Sequence, residues 1–341
     1  MQVLMSVLQF VSIIAFAATA VAETAEPTMK AIVIHEFGGP EVLKYEDVPR
    51  PEPKDDQILV RVVAAGVNPV DGMIRSGMFE TKPYRTSLMI LGGDIAGVVE
   101  RVGSKITKFK TGDPVFAYLS LENNGGYAQY ALTNAREAAP KPKSLTYVEA
   151  AAVPIVALTA WQALVDTAKL SAGQTVLIHG GSGGVGTFAI QIAKARGAKV
   201  IATASTANQD LLKQLGADVA IDYTKTKFEN VAKNVDVVLD SVGKDTLARS
   251  YGVVKKGGFI VTLVARVDQA ELDKHGIHGA SLSVEPNSNE LAEIGNLIDE
   301  KKIRVIVSQT FPLSEARKAQ EQVATGHTRG KIVLKIAEDP R

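Results

Sequence analysis

Cysteine is absent from all 341 residues of the chain. The sequence therefore excludes disulfide bonds, a thiol nucleophile and a thiolate-coordinated metal. Histidine is scarce as well, with five in the chain. The closely spaced pair His275 and His278 stands beside Gly276 and Gly279, a context that predicts a solvated loop rather than a metal site. We therefore expect no metal.

Charge of either sign is also limited, since the formal net charge is +1 and charged residues make up 22% of the chain. There is no basic block and no acidic tail, so nothing in the charge pattern indicates nucleic acid as a partner. Hydrophobic residues make up 46%, a composition typical of a soluble globular enzyme. The length favours two domains over one.

The N-terminus carries an apolar run, VLMSVLQFVSIIAFAATAVA, that ends in the small-x-small pattern Ala20-Val21-Ala22. This pattern predicts a signal peptide over residues 1–22, and hence an exported or periplasmic protein without stable membrane association after cleavage. No basic residue precedes the run, so two alternatives stay open. The run could be an uncleaved anchor, or Met29 could be the true first residue of a cytoplasmic protein.

The rest of the chain changes character twice. Short apolar or alternating runs separated by turn residues predict a compact β-barrel over residues 29–150. Strands alternating with helices predict a doubly wound parallel sheet over 151–287, with GGFIVTLVARV as a candidate edge strand. We expect a helix interrupted at Pro154, then a second one from about Leu158 to Ala168. Residues 288–341 form a C-terminal segment with a looser pattern. The fold class is thus α/β.

A glycine-rich loop directly follows the apolar run VLIH. Its residues are Gly181, Ser182, Gly183, Gly184, Val185 and Gly186. They fit G-x-G-x-x-G between a strand and a helix, which is typical of a dinucleotide-binding fold. In that reading Gly181 permits the turn, Gly183 lets the backbone approach a diphosphate, and Gly186 lets the helix pack on the strand. The alternative is a purely structural glycine turn.

The end of the next strand indicates which dinucleotide is bound. An NAD-binding fold usually places a carboxylate there for the ribose 2′-hydroxyl. This chain has Ser205, Thr206 and Asn208 instead, and such groups can donate to a 2′-phosphate. Tyr223, after the following strand, is a further candidate donor or an ordinary strand-end tyrosine. The sequence therefore favours NADPH over NADH.

Six segments in order resemble one family: MKAIVIHEFGGPEVLKYEDVPRP, AAGVNPVDGMIRSG, GGDIAGVVERVG, GGYAQY, HGGSGGVG and GHTRGKIVLKI. The chain resembles the zinc-independent quinone oxidoreductase branch of the medium-chain dehydrogenase/reductase superfamily, which includes zeta-crystallin-like proteins and alkenal reductases. The resemblance implies a GroES-like β-barrel catalytic domain and a Rossmann domain with the active site between them. It also implies a C-terminal segment that returns to the first domain, and a homodimer.

Zinc dehydrogenases of that superfamily carry a cysteine and a histidine where this chain has Asn68 and Gly93. Asp71 and Asp94 remain nearby, but two carboxylates without Cys or His are a poor zinc site. The resemblance therefore implies hydride transfer from NADPH, without zinc, to a small electrophilic acceptor such as a quinone or an α,β-unsaturated carbonyl. An enoyl-thioester reductase is an alternative.

The same resemblance assigns roles near the reacting groups. Asn68 matches an asparagine near nicotinamide and substrate, or else it forms a turn before Pro69. Tyr84 and Tyr127 are candidate proton donors, and Tyr127 is more typical of core packing. Departures from related enzymes at Met73 and Phe79 leave a different class open, a non-catalytic NADPH-binding sensor or a crystallin-like protein.

Further cofactor-binding candidates come from the resemblance. Thr159 matches a residue near the nicotinamide, although a helix hydroxyl can also bond its own backbone. Lys331 matches an element that reaches back to the cofactor, or it is a solvated strand residue. Asp71 is expected to orient the backbone or Arg75. The remaining candidates line strand ends or the C-terminal element: Ser241, Val242, Gly243, Leu263, Val264, Ala265 and Gly330.

Overall fold

The computed structural model of the protein describes residues 27–78, 88–120 and 125–339. The expected signal peptide, Phe79 and Tyr84 lie outside these ranges. Within them, no helix has both the length and the apolar character needed to cross a membrane.

The first domain is built around one long strand, β3, whose residues are almost all buried. It pairs antiparallel with the strands Asp94–Val102 and Tyr130–Asn134 and with a C-terminal strand, Lys331–Lys335. Hydrophobic positions on both faces explain why it can be covered from both sides. The elements of this part of the chain are β1 (Thr28–Ile34), β2 (Lys44–Pro49), β3 (Gln57–Val67), α1 (Pro69–Arg75), β4 (Met89–Ile90), β5 (Asp94–Val102), β6 (Pro114–Tyr118), β7 (Tyr130–Asn134) and β8 (Ala138–Pro140).

Helices α2 (Tyr147–Ala151) and α3 (Pro154–Trp161) connect the two domains. The expected restart near Leu158 is wrong, because Pro154 opens α3 as its first residue instead of interrupting it. A proline is favoured there, since its missing N–H would have no helical partner at that position. A π-helical turn over Gln162–Thr167 continues α3.

The second domain holds a parallel sheet, which within the described residues has the strand order β11-β10-β9-β12-β13-β14. Because the order reverses at β9, the carboxyl end of that strand is a switch point where such sheets bind ligands. The elements are β9 (Thr175–Ile178), α4 (Gly184–Ala195), β10 (Lys199–Ala204), α5 (Gln209–Gln214), β11 (Val219–Asp222), β12 (Val235–Asp240), α6 (Lys244–Ser250), β13 (Val254–Thr262), α7 (Gln269–His275) and β14 (His278–Ser281).

Two expectations about this sheet are wrong. The segment GGFIVTLVARV is not the edge, because β14 pairs with β13 along Phe259–Thr262 and covers it. His278 therefore lies in a strand, not in a loop, and His275 ends α7. A four-residue edge strand that contains Gly279 left little periodicity for the sequence to reveal.

The C-terminal segment returns to the first domain. Its elements are α8 (Ser288–Asp299), β15 (Val307–Pro312), α9 (Ala316–Ala324) and β16 (Lys331–Lys335). Strand β16 pairs with β3 in a register that sets Ile332 opposite Val67. This pairing brings the start of β16 beside the end of β3, where α1 begins.

Candidate active site

The glycine loop after β9 turns tightly and packs helix α4 onto the strand. The left-handed residue of the turn is Gly180, with φ of +69°, so the expectation that Gly181 permits the turn is wrong. Gly181 is instead crowded against β10, since a Cβ there would lie 3.1 Å from the Ala202 Cβ. A Cβ at Gly186 would overlap the Gly180 carbonyl oxygen. Close packing of strand and helix therefore requires glycine at position 186.

Helix α4 presents free amides at its N-terminus. Its first helical hydrogen bond runs from Thr187 N to Gly183 O at 3.0 Å. The amides of Gly184, Val185 and Gly186 precede that bond and have no partner within the helix. A Cβ at Gly183 would lie 3.4 Å from the Gly180 oxygen and, apart from the adjacent residues, would have no other neighbour within 4 Å in the part of the chain that the structure describes. Free amides, the helix dipole and room for close approach fit the diphosphate of a dinucleotide.

Polar side chains gather where β10 ends. Ser205 Oγ accepts from Asn208 Nδ2 at 3.1 Å, a bond that leaves the serine proton available. Thr206 instead donates to Asp222 Oδ2 at 2.6 Å, so its proton is engaged within the protein. Tyr223 is more than half exposed and its N–H donates to Ala204 O at 3.2 Å, which places it beside the same strand end.

Asp222, the last residue of β11, is a carboxylate near this corner that sequence reasoning missed. Hydrogen bonds from the hydroxyls of Thr206 and Thr224 lower the pKa of Asp222 to about 2. Lys225 lies 3.5 Å from it. The signal was available in the run VAID, since its final aspartate ends a strand next to β10. With its oxygens engaged by these neighbours, Asp222 stays ionised.

Asp240 is a buried carboxylate that organises the ends of β12 and β13. Sequence reasoning missed this residue as well. It accepts from Val242 N at 3.1 Å, from Gly243 N at 3.0 Å and from Thr262 Oγ1 at 2.9 Å. Its carbonyl accepts from Leu263 N at 2.9 Å. The aspartate thus holds the two predicted cofactor-binding turns together.

The side chains of these two turns differ in exposure. Val242 and Val264 are half-exposed apolar groups, whereas Ala265 packs against the core beneath β12 and β13. Ser241 Oγ donates to His179 O at 2.8 Å. Together the turns line the carboxyl edge of the sheet next to the glycine loop, where the family resemblance implied cofactor contacts.

A buried group of five polar side chains lies where β3, β5 and β16 meet, and we call it the polar cluster: Asn68, Asp71, Asp94, Tyr127 and Lys331. Asn68 Nδ2 donates to Asp94 Oδ2 at 3.0 Å. Lys331 Nζ donates to Asp94 Oδ2 at 3.2 Å and to Asn68 Oδ1. Asp71 accepts from Asn68 N at 2.8 Å and from the Tyr127 hydroxyl at 2.6 Å. Lys331 is therefore not a solvated strand residue.

Burial sets the protonation behaviour of this cluster. It raises the pKa of Asp71 to about 6, against the opposing hydrogen bonds from Tyr127 and Asn68. Burial next to Asp71 also raises the pKa of Tyr127 well above its ordinary value. Tyr127 is fully buried, as expected of a core residue. Its hydroxyl donates a hydrogen bond to Asp71. The positions of the two residues along the sequence did not indicate this hydrogen bond.

Other candidates have local roles. Thr159 Oγ1 donates to Ile155 O at 2.6 Å, the bond of a helix hydroxyl to its own backbone. Asp71 does not contact Arg75, which donates to Gly38 O at 3.2 Å and to Gln320 Oε1 at 2.7 Å. Asp71 orients the backbone at Asn68 instead, the other of the two expected roles.

Gly330 joins the C-terminal segment to the glycine loop. Its N–H donates to Ser182 O at 2.8 Å, and its own φ is +68°. A Cβ at this position would collide with Ile306. The start of α4 and the polar cluster therefore lie close together, since a Cβ on Gly184 would lie 3.2 Å from Lys331 Cδ.

No group of three or more His, Cys, Asp or Glu side chains suited to a metal ion occurs among residues 27–78, 88–120 and 125–339. Gly93 has no side chain and therefore no side-chain ligand atom. In the polar cluster, the Lys331 ammonium lies next to the Asp94 carboxylate.

Comparisons with known proteins match this architecture. Residues 54–143 match the model of an alcohol dehydrogenase GroES-like domain, and residues 215–334 match that of a zinc-binding dehydrogenase. An NADPH-dependent alkenal/one oxidoreductase from Arabidopsis thaliana is 39% identical, over 90% of this chain and 79% of the relative. A quinone oxidoreductase from Mus musculus is 36% identical, over 91% and 99%. A solved quinone oxidoreductase from Escherichia coli, complexed with NADPH, superposes with a TM-score of 0.82 at 31% identity, covering 90% of this chain and all of that one.

Proposed function

The chain belongs to the quinone oxidoreductase and alkenal reductase branch of the medium-chain dehydrogenase/reductase superfamily, and we propose that it reduces quinones or α,β-unsaturated carbonyl compounds with NADPH. The observation that carries the proposal is the closeness of the start of α4 to the polar cluster, since a Cβ on Gly184 would lie 3.2 Å from Lys331 Cδ. The names of the relatives support both the cofactor and the class of acceptor.

The chain's own residues account for cofactor binding. The amides of Gly184, Val185 and Gly186 would hold the diphosphate. Ser205 and Tyr223 lie where donors could reach a 2′-phosphate, and the turns after β12 and β13 would flank the rest of the molecule. When bound, NADPH supplies the hydride from its nicotinamide.

Asn68 is the group we assign to the acceptor side. Hydride addition places negative charge on the acceptor oxygen, and a fixed hydrogen-bond donor stabilises that charge. One hydrogen of Asn68 Nδ2 is bonded to Asp94, and the other can serve as this donor. Because the Tyr127 hydroxyl is buried and donates to Asp71, we propose that water supplies the final proton.

Zinc independence is part of this proposal, and the donor set supports it. A zinc site in this family would need the positions of Asn68 and Gly93, neither of which supplies a zinc ligand of the usual type. The Lys331 ammonium beside Asp94 also supplies the local positive charge. A second cation at the same place would meet electrostatic repulsion.

The function is tested by following NADPH absorbance with purified protein and a panel of quinones, enones and an enoyl thioester, with and without a chelator. We expect turnover of a quinone or enone that is unchanged by chelation. Cofactor binding without turnover on any acceptor would favour the sensor, and preference for the thioester would favour the alternative reductase. Loss of activity on chelation would contradict zinc independence.

Replacing Ser205 by aspartate is expected to weaken NADPH at least tenfold more than NADH. A carboxylate at the end of the second strand repels a 2′-phosphate but accepts a hydrogen bond from a 2′-hydroxyl. The dissociation constants of both nucleotides, measured by fluorescence titration, test this expectation.

The matched control is Ser205→Asn, which has the same shape without the charge and should change the NADPH to NADH ratio much less. An equal loss of both nucleotides in the aspartate variant would contradict the placement of the 2′-phosphate at this corner.

Export and dimerisation rest on the sequence, and we propose both. N-terminal sequencing of the mature protein distinguishes cleavage after Ala22 from a start at Met29. For the dimer, the edge strands of the parallel sheet among the described residues are β11 and β14. Measurement of the molar mass in solution tests it.

A further inference from the structure

The ammonium of Lys331 is buried, with 4% of the residue exposed. Its Nζ donates to Val67 O at 3.1 Å, to Asp94 Oδ2 at 3.2 Å and to Asn68 Oδ1. An ammonium has three N–H donors and no acceptor. Among the described residues, these protein oxygens account for all three donors. The ammonium therefore acts on neighbouring protein groups.

The two neighbours of the Asn68 side chain determine which way its carboxamide faces. Lys331 can donate but not accept, so it must face Oδ1. The carboxylate of Asp94 can accept but not donate, so it must face Nδ2. Flipping the carboxamide by 180° would set N–H against N–H and oxygen against oxygen. The pair thus leaves one N–H of Asn68 in a defined direction.

The Lys331 side chain also connects the glycine loop with Asn68. A Cβ on Gly184 would lie 3.2 Å from Lys331 Cδ, so the aliphatic stem passes directly beside the start of α4. The preceding residue, Gly330, is hydrogen-bonded to Ser182 of the same loop at 2.8 Å. The residue spans from the diphosphate-binding loop to the acceptor side.

The Lys331 ammonium balances negative charge that is buried in the polar cluster. Asp94 and Asp71 are 0% and 1% exposed, and a buried carboxylate is costly unless it is paired. Asp94 Oδ1 also accepts from Ile155 N at 2.8 Å, at the start of α3. Lys331 consequently has two separable roles, charge balance for Asp94 and orientation of Asn68.

We propose that Lys331 is a positioning residue for the reduction, acting through Asn68: its ammonium holds the Asn68 carboxamide so that the free N–H faces the reacting groups. This inference rests on the proposed function. It assigns Lys331 a task other than the direct cofactor contact implied by the family resemblance.

The test is a double-mutant cycle of Lys331→Met and Asn68→Ala, with kcat and KM measured for the best quinone or enone. We expect Lys331→Met to lower kcat at least about tenfold, less than the roughly 100- to 1,000-fold that removal of a fixed donor costs, because the donor is misoriented and not removed. The dissociation constant of NADPH should change less than threefold. In the Asn68→Ala background, Lys331→Met should have almost no further effect, because the group it positions is gone.

A folding control separates charge balance from positioning. The double variant Asp94→Asn with Lys331→Met removes both buried charges, and we expect its Tm to recover relative to Lys331→Met. Its kcat should stay low, because the amide introduced by Asp94→Asn can both donate and accept and so does not select one orientation of Asn68. Recovery of kcat together with Tm would reduce Lys331 to a structural role and overturn the proposal.

A readout without turnover keeps the inference distinct from the proposed function. The side-chain amide signals of Asn68 in ¹⁵N spectra are identified by their loss in Asn68→Ala, and they should shift in Lys331→Met. If the wild-type chain reduces no acceptor, the proposed function fails while this shift still reports on orientation. Unmoved signals, or additive effects in the cycle, would contradict the proposal.

Discussion

Replacing Gly183 by aspartate is expected to lower NADPH affinity at least 100-fold, about 3 kcal/mol, while the protein stays folded. Gly183 is the N-cap of α4 with φ of −78° and ψ of 179°, an extended conformation open to any residue. A Cβ there meets ordinary contacts. Aspartate is a favourable N-cap, so its carboxylate would accept from the free amides and occupy the place of the diphosphate. Fluorescence titration with NADPH measures the loss.

Two controls show that the effect comes from charge at the anion site. Gly183→Asn has the same size without the charge and should cost much less affinity, and the Tm of both variants should equal or slightly exceed that of the wild type. Gly186→Ala should instead destabilise the fold, because its Cβ overlaps the Gly180 oxygen. Unchanged affinity in Gly183→Asp would mean that the dinucleotide lies elsewhere.

The sequence predicted the glycine loop well because the relevant signals are local. A strand, a G-x-G-x-x-G run and a helix follow one another within one short stretch, and each has its own periodicity or composition. The assignment of the turn to Gly181 was wrong, because the positive φ falls on Gly180, one residue before the motif begins. A motif states which positions must be small, and it does not specify which of them takes the left-handed conformation.

The polar cluster could not be assembled from the sequence. Most of its residues were recognised singly, but Lys331 is 263 positions from Asn68. Their contact depends on the antiparallel register of β16 with β3, where Ile332 faces Val67. A lysine at the start of a strand is usually solvated, so no local pattern indicated that this one is buried against Asp94 and Asn68.

Asp222 and Asp240 were missed for a related reason. Each is the last residue of its strand, and each binds groups on a neighbouring strand or turn. The strand order that makes them neighbours is a property of the whole sheet, whereas spacing along the chain gave only the strands themselves.

The last prediction concerns His179, a buried histidine at the end of β9. Its Nε2 lies 3.0 Å from Ser250 Oγ and its Nδ1 lies 3.2 Å from Thr203 Oγ1. Ser250 Oγ donates to Thr246 O at 2.7 Å, so towards the ring it accepts. Nε2 therefore carries the proton and Nδ1 is the acceptor, which is the neutral form of the side chain.

Burial lowers the pKa of His179 to about 4, and the nearby Arg249 acts in the same direction against Asp240 and Glu229. The unfolded chain binds a proton at His179 below its ordinary pKa of 6.5, but the folded chain does not until about pH 4. Stability from this residue is thus complete above pH 6.5 and is lost as the pH falls towards 4. At pH 4.5 the loss is about 2–3 kcal/mol.

The free energy of unfolding, from urea titrations at pH 7 and pH 4.5, should therefore fall by about 2–3 kcal/mol more in the wild type than in His179→Gln. Glutamine can still donate to Ser250 but does not titrate. Asp71 acts oppositely, because its raised pKa of about 6 makes the fold gain stability as the pH falls below 6. That gain is common to both proteins and cancels in the comparison, whereas Asp71→Asn should lose it. An equal fall in the wild type and His179→Gln would show that His179 has the same pKa in the folded and the unfolded chain, and would contradict the lowered pKa.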